Sequence, residues 1–428
     1  MTSHDYPDSY YARTIQEPAD YPPLTGDLDV ETLVIGGGLA GCATALDLAE
    51  RGRPVAVLEA YRIGWGASGR NGGFASEGFP KGYMALTERV GRARAQEIQK
   101  VARNGLELVH RRIADYAIAC GPNQQGALRC NLAGREDDLI RIRDFLAETF
   151  GVAHEYWPPE RVREVLSTKR YSDALFVPTT IAVHPLNLTL GLARACVERG
   201  GQVFQNSAAC AISDAGGQIE VRTARGRIRA DRVVVTCGGY VGRLHRRLSM
   251  ATIPIATFVM ATEPLAALLS KAIRVPYAIF DNQVATNYYR PLHDQRILWG
   301  GRILTWQPKP ARIAAVLKRD MVRIYPALAA AKVDVAWSGI MPMTRHRFPV
   351  IGQVAPNVWY VTGLGGLGVA LSSAFGRLIA AALVEGDETW RLFEAFGLPN
   401  GGGQLGRVPA QLVYWWHRMR AGMAAAAP

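Results

Sequence analysis

Glu31-Thr32-Leu33-Val34-Ile35-Gly36-Gly37-Gly38-Leu39-Ala40-Gly41 joins a short apolar run, rich in β-branched residues, to a cluster of glycines. Residues 32–35 fit a strand buried in a parallel sheet. Beyond the glycines, Leu39, Cys42, Ala43, Leu46 and Ala49 recur at helical spacing, and Gly52 stops that helix as a C′ glycine does. Pro54-Val55-Ala56-Val57-Leu58-Glu59 then reads as a second strand ending in an acid. Strand, Gly36-x-Gly38-x-x-Gly41, helix, strand and acid together form a dinucleotide-binding fingerprint. Gly36 makes the tight turn, Gly38 lets a pyrophosphate approach the backbone, and Gly41 lets helix pack on strand. The helix N-terminus, with Leu39 and Ala40 in its first turn, faces the phosphates. Glu59, with Ala60 beside it, stands 59 − 38 = 21 residues after Gly38. That is close to the roughly 20 expected of a carboxylate that holds a ribose hydroxyl pair. A glycine-rich turn that binds nothing would not need every part in register.

At 428 residues the chain exceeds the roughly 250–300 at which single cores stop growing, so two domains are expected. Apolar residues make up 49% and charged residues 20%, the balance of a globular protein. The six cysteines, at 42, 120, 130, 196, 210 and 237, contain no CxxC and no paired spacing. Reduced thiols in a cytoplasm are expected rather than a disulfide framework, and no metal site is expected. The first residues lack a basic stretch followed by an apolar one, so no secretory signal is expected. Residues 359–376 carry no charge over 18 positions, the minimum for a membrane span, but five glycines break them into strand and helix halves. They read as buried core. The net charge of +12 is spread along the chain, not massed with aromatics, so it reads as a solvated basic surface and not a nucleic-acid site.

A second glycine-rich loop, Ile63-Gly64-Trp65-Gly66-Ala67-Ser68-Gly69-Arg70-Asn71-Gly72-Gly73, follows the first unit. Its small residues let a flat ligand touch backbone, and Arg70 is placed to meet negative charge. With Gly36-x-Gly38-x-x-Gly41, this loop resembles the FAD-dependent D-amino acid oxidase/glycine oxidase superfamily, closest to its gamma-glutamylputrescine oxidase branch. Members of that branch also begin with an arm like Tyr10-Tyr11-Ala12. The resemblance implies FAD rather than NAD, because Ala67, Ser68, Gly69, Arg70, Gly72 and Gly73 would serve the flavin end. It also implies a strand near Ala209 passing the adenine, and Thr236-Cys237-Gly238 closing over the cofactor. Cys237 has two readings, a reactive thiol or a small residue needed for close packing, and packing is preferred. Two late blocks carry the resemblance to the C-terminal part. Trp337-Ser338-Gly339-Ile340-Met341-Pro342 is one, and Thr362-Gly363-Leu364-Gly365-Gly366-Leu367-Gly368-Val369 is the other. The helix that starts at Val369 would point its N-terminus at the flavin.

The expected architecture is α/β: a Rossmann-like FAD-binding domain plus an antiparallel-sheet substrate domain. Residues 28–90, 159–249 and 336–387 are assigned to the cofactor domain, and residues 91–158 and 250–335 to the substrate domain. Residues 1–27 read as an extended arm without an element of its own. Residues 388–428 read as a tail with a helical patch at 412–419, where Trp415 and Trp416 suggest packing, a partner or a membrane surface. Asn287-Tyr288-Tyr289-Arg290, a turn at 293–295, and Ile297-Leu298-Trp299-Gly300-Gly301-Arg302 form a hairpin. Alternation lets only one of Tyr288 and Tyr289 face the site. Tyr289 and Arg302 are taken as catalytic candidates with His346, and Tyr288 as lining the substrate pocket. For Arg290 and Arg302, and for Tyr289, a structural hydrogen bond or ion pair is the competing reading.

Three departures from the family pattern matter. Met341 stands where relatives carry an arginine that grips the substrate α-carboxylate, so a free α-carboxylate beside the reacting C–N bond is not expected. His346 replaces an aspartate, with acid/base catalysis or a capping role as its two readings. Leu367 replaces a histidine. No cysteine in 335–352 and no histidine after Gly66 is placed to bond the flavin, so FAD is expected to be non-covalent. Val284, Ala285, Thr286 and Asn287 occupy a strand where some relatives place an oxygen-activating lysine. The expected reaction is oxidation of a primary or secondary amine, γ-glutamylated amines included, by hydride transfer to flavin N5 and hydrolysis of the imine. O2, a quinone or a protein carrier remains open as acceptor, with peripheral membrane contact. The other class considered is a flavoprotein that only binds a partner.

Overall fold

The computed structural model describes residues 5–17, 20–121, 124–132, 137–283 and 286–424. The fingerprint folds as the spacing requires. Leu28–Ile35 forms a strand whose last four residues are buried, Leu39–Glu50 a helix, and Val55–Leu58 a second, wholly buried strand. These strands run parallel with Gln202–Phe204 on one side and Arg227–Val235 and Val358–Thr362 on the other. Val350–Ala355 closes one edge antiparallel, and the hairpin of Ala211–Asp214 and Ile219–Arg222 completes eight strands. Helix Gly368–Glu385 packs on Leu39–Glu50 and on Arg92–Asp115, while Pro185–Glu198 packs on Leu39–Glu50. By length and composition Gly365–Glu385 would suffice to cross a membrane, yet 67% of its apolar window is buried inside the protein. Asp47, fully buried on the first helix, is held by Arg112 at 2.8 Å. A buried carboxylate persists only with such a partner.

The second sheet has nine strands. Its order is Val333–Met343, Ile253–Thr262, Ile297–Leu304, Tyr288–Pro291, Ala278–Asp281, Gln124–Cys130, Ala174–Ala182 and Phe74–Ala75, with Glu155–Trp157 paired to Ala174–Ala182. It is antiparallel except where Ala278–Asp281 runs parallel to Gln124–Cys130. One face buries Leu128, Met260, Ile279, Tyr289 and Trp299 in the core shared with helix Pro310–Ile324. The other face borders the cavity described below.

Several boundaries differ from the sequence reading. Ala174–Ala182, placed with the cofactor domain in 159–249, is a strand of the second sheet, because it pairs with Gln124–Cys130 far along the chain. Val333–Met343 is one continuous strand of that sheet, so it crosses the boundary drawn at 336. Within 1–27 an element does form: Tyr10–Arg13 is a short helix capped by Ser9, and Tyr11 is fully buried. The tail patch is part of a longer helix, Arg407–Ala424. Val284 and Ala285 lie outside the described residues.

Candidate active site

The turn after the first strand is held by backbone geometry that only glycine accepts. Gly36 has φ +110°, and its N–H donates to Leu58 O at 2.9 Å. A Cβ on Gly41 would lie 1.8 Å from Gly36 O, so helix and strand touch through glycine alone. At the N-cap of Leu39–Glu50, Gly38 brings no side chain, and Ser68 Oγ accepts from Leu39 N at 2.9 Å. That ties the second loop to the helix N-terminus. Glu59 accepts from Gly37 N at 2.7 Å and Tyr61 N at 2.9 Å, one bond per carboxylate oxygen, which leaves lone pairs on both. Burial pushes the Glu59 carboxyl above its ordinary value, and the backbone N–H groups of Tyr61 and Gly37 pull against that rise.

A cavity of about 1190 Å³ runs from this turn to the second sheet. Gly36, Gly38, Leu39, Ala40, Glu59, Ala60, Ala67, Ser68, Arg70 and Gly72 line its first part. Ala209, Thr236, Cys237 and Gly238 follow, then Gly339 and Met341, and Gly365, Gly366, Leu367, Gly368 and Val369. Gly41, Gly69 and Gly73 are not in the wall. They are small because backbone lies behind them: a Cβ on Gly69 would meet Gly64 O at 2.4 Å, and one on Gly73 would meet Val183 O at 2.2 Å. Arg70 does not wait for a negative charge. Its guanidinium donates to Trp65 O, Gly66 O, Ser338 O and the Tyr240 hydroxyl, and it lies 4.3 Å over the Trp65 ring. Burial pushes the Cys237 thiol up to about 12, so it stays protonated and its role is to be small.

The second sheet supplies the facing wall. Tyr288 is the hairpin tyrosine that reaches the cavity, and its ring lies in a slot made by two glycines. A Cβ at Gly300 would fall 2.0 Å from the ring, and one at Gly72 would fall 2.7 Å away. Tyr289 takes the opposite face. It stacks on Trp299 with ring centroids 4.1 Å apart, and its hydroxyl is bonded to those of Tyr325 and Tyr171. Fully buried and outside the cavity wall, it does not reach a substrate, which corrects its candidacy as a catalytic residue. His346 also lies outside the wall. Its Nδ1 accepts from Phe348 N at 3.0 Å, so it caps the turn before Val350–Ala355. Arg302 does line the cavity, at a bulge where it adopts φ +58°, but its fork is paired with the buried Asp320 carboxylate. Met341 is in the wall.

Residues that sequence reading passed over complete the cavity. Asn71 knits the second loop, donating to Ala67 O and Ser68 O while accepting from Gly73 N. Tyr240 abuts Arg70 and Gly66. Glu77, Arg129, His154, Phe280 and Asp281 also line the cavity, and His154 is the one of these side chains that feels the Arg129 charge. Arg129 had one signal in the sequence, a charge inside the apolar alternation Ala127-Leu128-Arg129-Cys130. No group of three or more metal-ligating side chains occurs among the described residues.

A glycine cradle at a helix N-terminus, an acid at the end of the second strand, and a cavity continuing to a substrate sheet define a dinucleotide-dependent redox enzyme. Comparison with known proteins gives the family. The family model described as FAD dependent oxidoreductase (DAO) matches residues 31–382, and the chain belongs to that family. It is 32% identical over 398 residues to a probable oxidoreductase OrdL of Haemophilus influenzae, covering 92% of this chain and 91% of the relative. It is also 32% identical over 417 residues to the gamma-glutamylputrescine oxidoreductase of Escherichia coli, covering 96% of each. Among solved structures, L-proline dehydrogenase from P. horikoshii superimposes with a TM-score of 0.72 at 19% identity, over 90% of this chain and 99% of the other. The chain is thus an FAD-dependent oxidoreductase acting on amines or amino acids. The glycine cradle, Ser68 and Glu59 fit FAD.

Proposed function

We propose that the protein oxidises the C–N bond of an amine that has no free carboxylate on the reacting carbon, with FAD held non-covalently. The observation that carries this is Met341, a thioether in the cavity wall at the position where the resemblance would place a carboxylate-gripping arginine. Arg302, the nearest alternative in the hairpin, is neutralised by Asp320. Bound FAD supplies a two-electron acceptor for the hydride that leaves the carbon beside a neutral amine nitrogen. The chain's own part is to orient and to exclude water. Tyr288, fixed between Gly72 and Gly300, forms a rigid wall, and Met341 and Leu367 keep the neighbouring surface apolar. Hydride loss from a neutral amine needs no protein base. The test is anaerobic: the yellow holoenzyme is mixed with amines, γ-glutamylated amines, N-alkyl glycines and D-amino acids. Bleaching by amines supports the reading, and preferential bleaching by D-amino acids refutes it.

A second reading concerns the acceptor and rests on the Arg407–Ala424 helix. Val408, Leu412, Trp415, Trp416 and Met419 recur at i, i+4, i+7, i+8 and i+11, and all are exposed, Trp415 and Trp416 at 46% and 48%. Gln411 and Tyr414 bury the other side, with Gln411 Oε1 accepting from Thr305 N at 2.9 Å. Trp306 extends the apolar patch edge-on to Trp415. No acid follows Glu394, whereas Arg407, Arg418 and Arg420 do. A second copy of the chain would oppose like charges, while an anionic lipid surface complements both the apolar stripe and the arginines. This favours a quinone held in a membrane as acceptor, on the cytoplasmic side that the six free cysteines suggest. Sedimentation with vesicles of phosphatidylcholine, with and without phosphatidylglycerol, tests it. Salt-sensitive binding lost in W415S/W416S is expected, and indifference to phosphatidylglycerol would refute it.

A further inference from the structure

Arg112, Arg302, Arg70 and Arg290 each have at least one protein partner for the guanidinium, although Nε and Nη1 of Arg112 and Nε of Arg290 are buried without one. Arg112 pairs with Asp47 and Glu50, Arg302 with Asp320, and Arg70 with three carbonyls. Arg290 donates to Val183 O at 2.9 Å. Arg129 is different. Among the described residues, no carboxylate, carbonyl or hydroxyl accepts from its guanidinium, although it is largely buried and burial lowers its pKa.

Its position explains where the charge is aimed. Arg129 lies on the Gln124–Cys130 strand opposite Phe280, and it lines the cavity with Phe280 and Val177. His154 lines the same cavity, and its Nδ1 is buried without a partner. Burial and the Arg129 charge hold the His154 imidazole down at about 4, so near neutral pH it brings a hydrogen bond but no charge. Ile142, Phe145 and Leu146 from helix Asp138–Phe150 add apolar side chains to the wall of the same cavity. A guanidinium held in such a place without a partner costs stability, and it strengthens the attraction for an anion that enters.

We propose that Arg129 and His154 form an anion subsite that holds a carboxylate carried by the substrate at the end remote from its reacting carbon. One cation and one neutral imidazole match a planar monoanion, which the guanidinium fork grips through two parallel hydrogen bonds. A phosphate dianion would leave charge unmatched. Remoteness follows from the architecture. The cofactor end of the cavity is built from the glycine loops of the first sheet and from Met341, whereas the subsite is built from a middle strand of the second sheet, the segment at 154 and helix Asp138–Phe150. The substrate class is therefore an amine with a carboxylate-bearing tail. This deepens the amine reading, but the subsite itself can be tested without it.

The experiment titrates the yellow holoenzyme with glutarate, with neutral glutaramide and with inorganic phosphate, following the flavin difference spectrum and the melting temperature. Glutarate is expected to bind, and glutaramide and phosphate at least tenfold more weakly. R129M should weaken glutarate at least tenfold while leaving the melting temperature unchanged or higher, because it removes an unpaired buried charge. R129K, which keeps charge without the fork, should fall between. Unchanged glutarate affinity in R129M overturns the proposal. So does tighter binding of phosphate, or a melting temperature that falls in both variants while glutarate affinity holds in R129K, since the arginine would then serve structure. Amines that bleach the flavin with glutarate binding indifferent to Arg129 would leave the amine reading standing and sink the subsite. Glutarate binding dependent on Arg129, in an enzyme that no amine bleaches, would do the reverse.

Discussion

Acidification is expected to destabilise this protein through His184, and the size of the effect follows from its surroundings. His184 is the N-cap of helix Pro185–Glu198: its Nδ1 accepts from Asn187 N at 3.0 Å, and its Nε2 lies 3.1 Å from Thr14 Oγ1. The ring packs edge-on against Tyr11, at 4.9 Å between centroids. Burial, and then the nearby Arg290 charge, lower its pKa from 6.5 to about 4. Protonation also removes the lone pair that caps the helix. The folded state therefore resists a proton that the unfolded chain accepts below pH 6.5, so stability is intact above that value and is lost as pH falls toward 4. For one such group the loss is about 2 kcal/mol at pH 5 and about 3 kcal/mol at pH 4. His184→Asn isolates the term, because asparagine caps a helix as well and does not titrate. At pH 7.5 the variant should be less stable by about 1–2 kcal/mol, from the lost contacts with Thr14 and Tyr11. Urea unfolding at pH 7.5, 6, 5 and 4 should show that deficit vanish between pH 6 and 5 and reverse below. Other titrating groups, including Asp281 with its carboxyl raised to about 6 by burial, cancel in the difference. A difference between wild type and variant that stays constant from pH 7.5 to 4 would refute the reasoning.

Three further outcomes follow from the same packing. A methyl on Gly41 would lie 1.8 Å from Gly36 O, backbone that cannot yield, so G41A should purify without flavin colour; full absorbance at the flavin's long-wavelength band would contradict this. In G300A the new methyl would fall 2.0 Å from the Tyr288 ring and push it out of its slot. The variant should keep its flavin but lose about tenfold or more in kcat/KM, which is roughly 1.4 kcal/mol of transition-state stabilisation. D320A leaves the Arg302 guanidinium buried and unpaired, and denaturant unfolding should report a loss of about 3–5 kcal/mol; D320N, which keeps an acceptor, should lose less.

Wherever a residue's role depends on its sequence neighbours, the sequence carried it. The turn at Gly36, the stop at Gly52 and the hairpin around residues 293–295 are such cases, because strand, turn and helix signals are local. Roles set by distant partners were not legible. Alternation says that Tyr288 and Tyr289 face opposite ways, but the choice between them is made by Gly300 and Gly72, whose missing side chains open the slot on the cavity side. Likewise Arg302 looks like a ligand for substrate until Asp320, on a helix 18 residues later, takes its charge. Arg129 is the converse: buried in a strand it suggests a structural ion pair, and only the assembled sheet shows that no partner arrives. An arginine's meaning in this fold is thus decided by which carboxylate the tertiary structure brings to it. Two arginines in one cavity, Arg302 paired and Arg129 bare, should differ accordingly on mutation. Removing the first should cost stability, and removing the second should cost affinity.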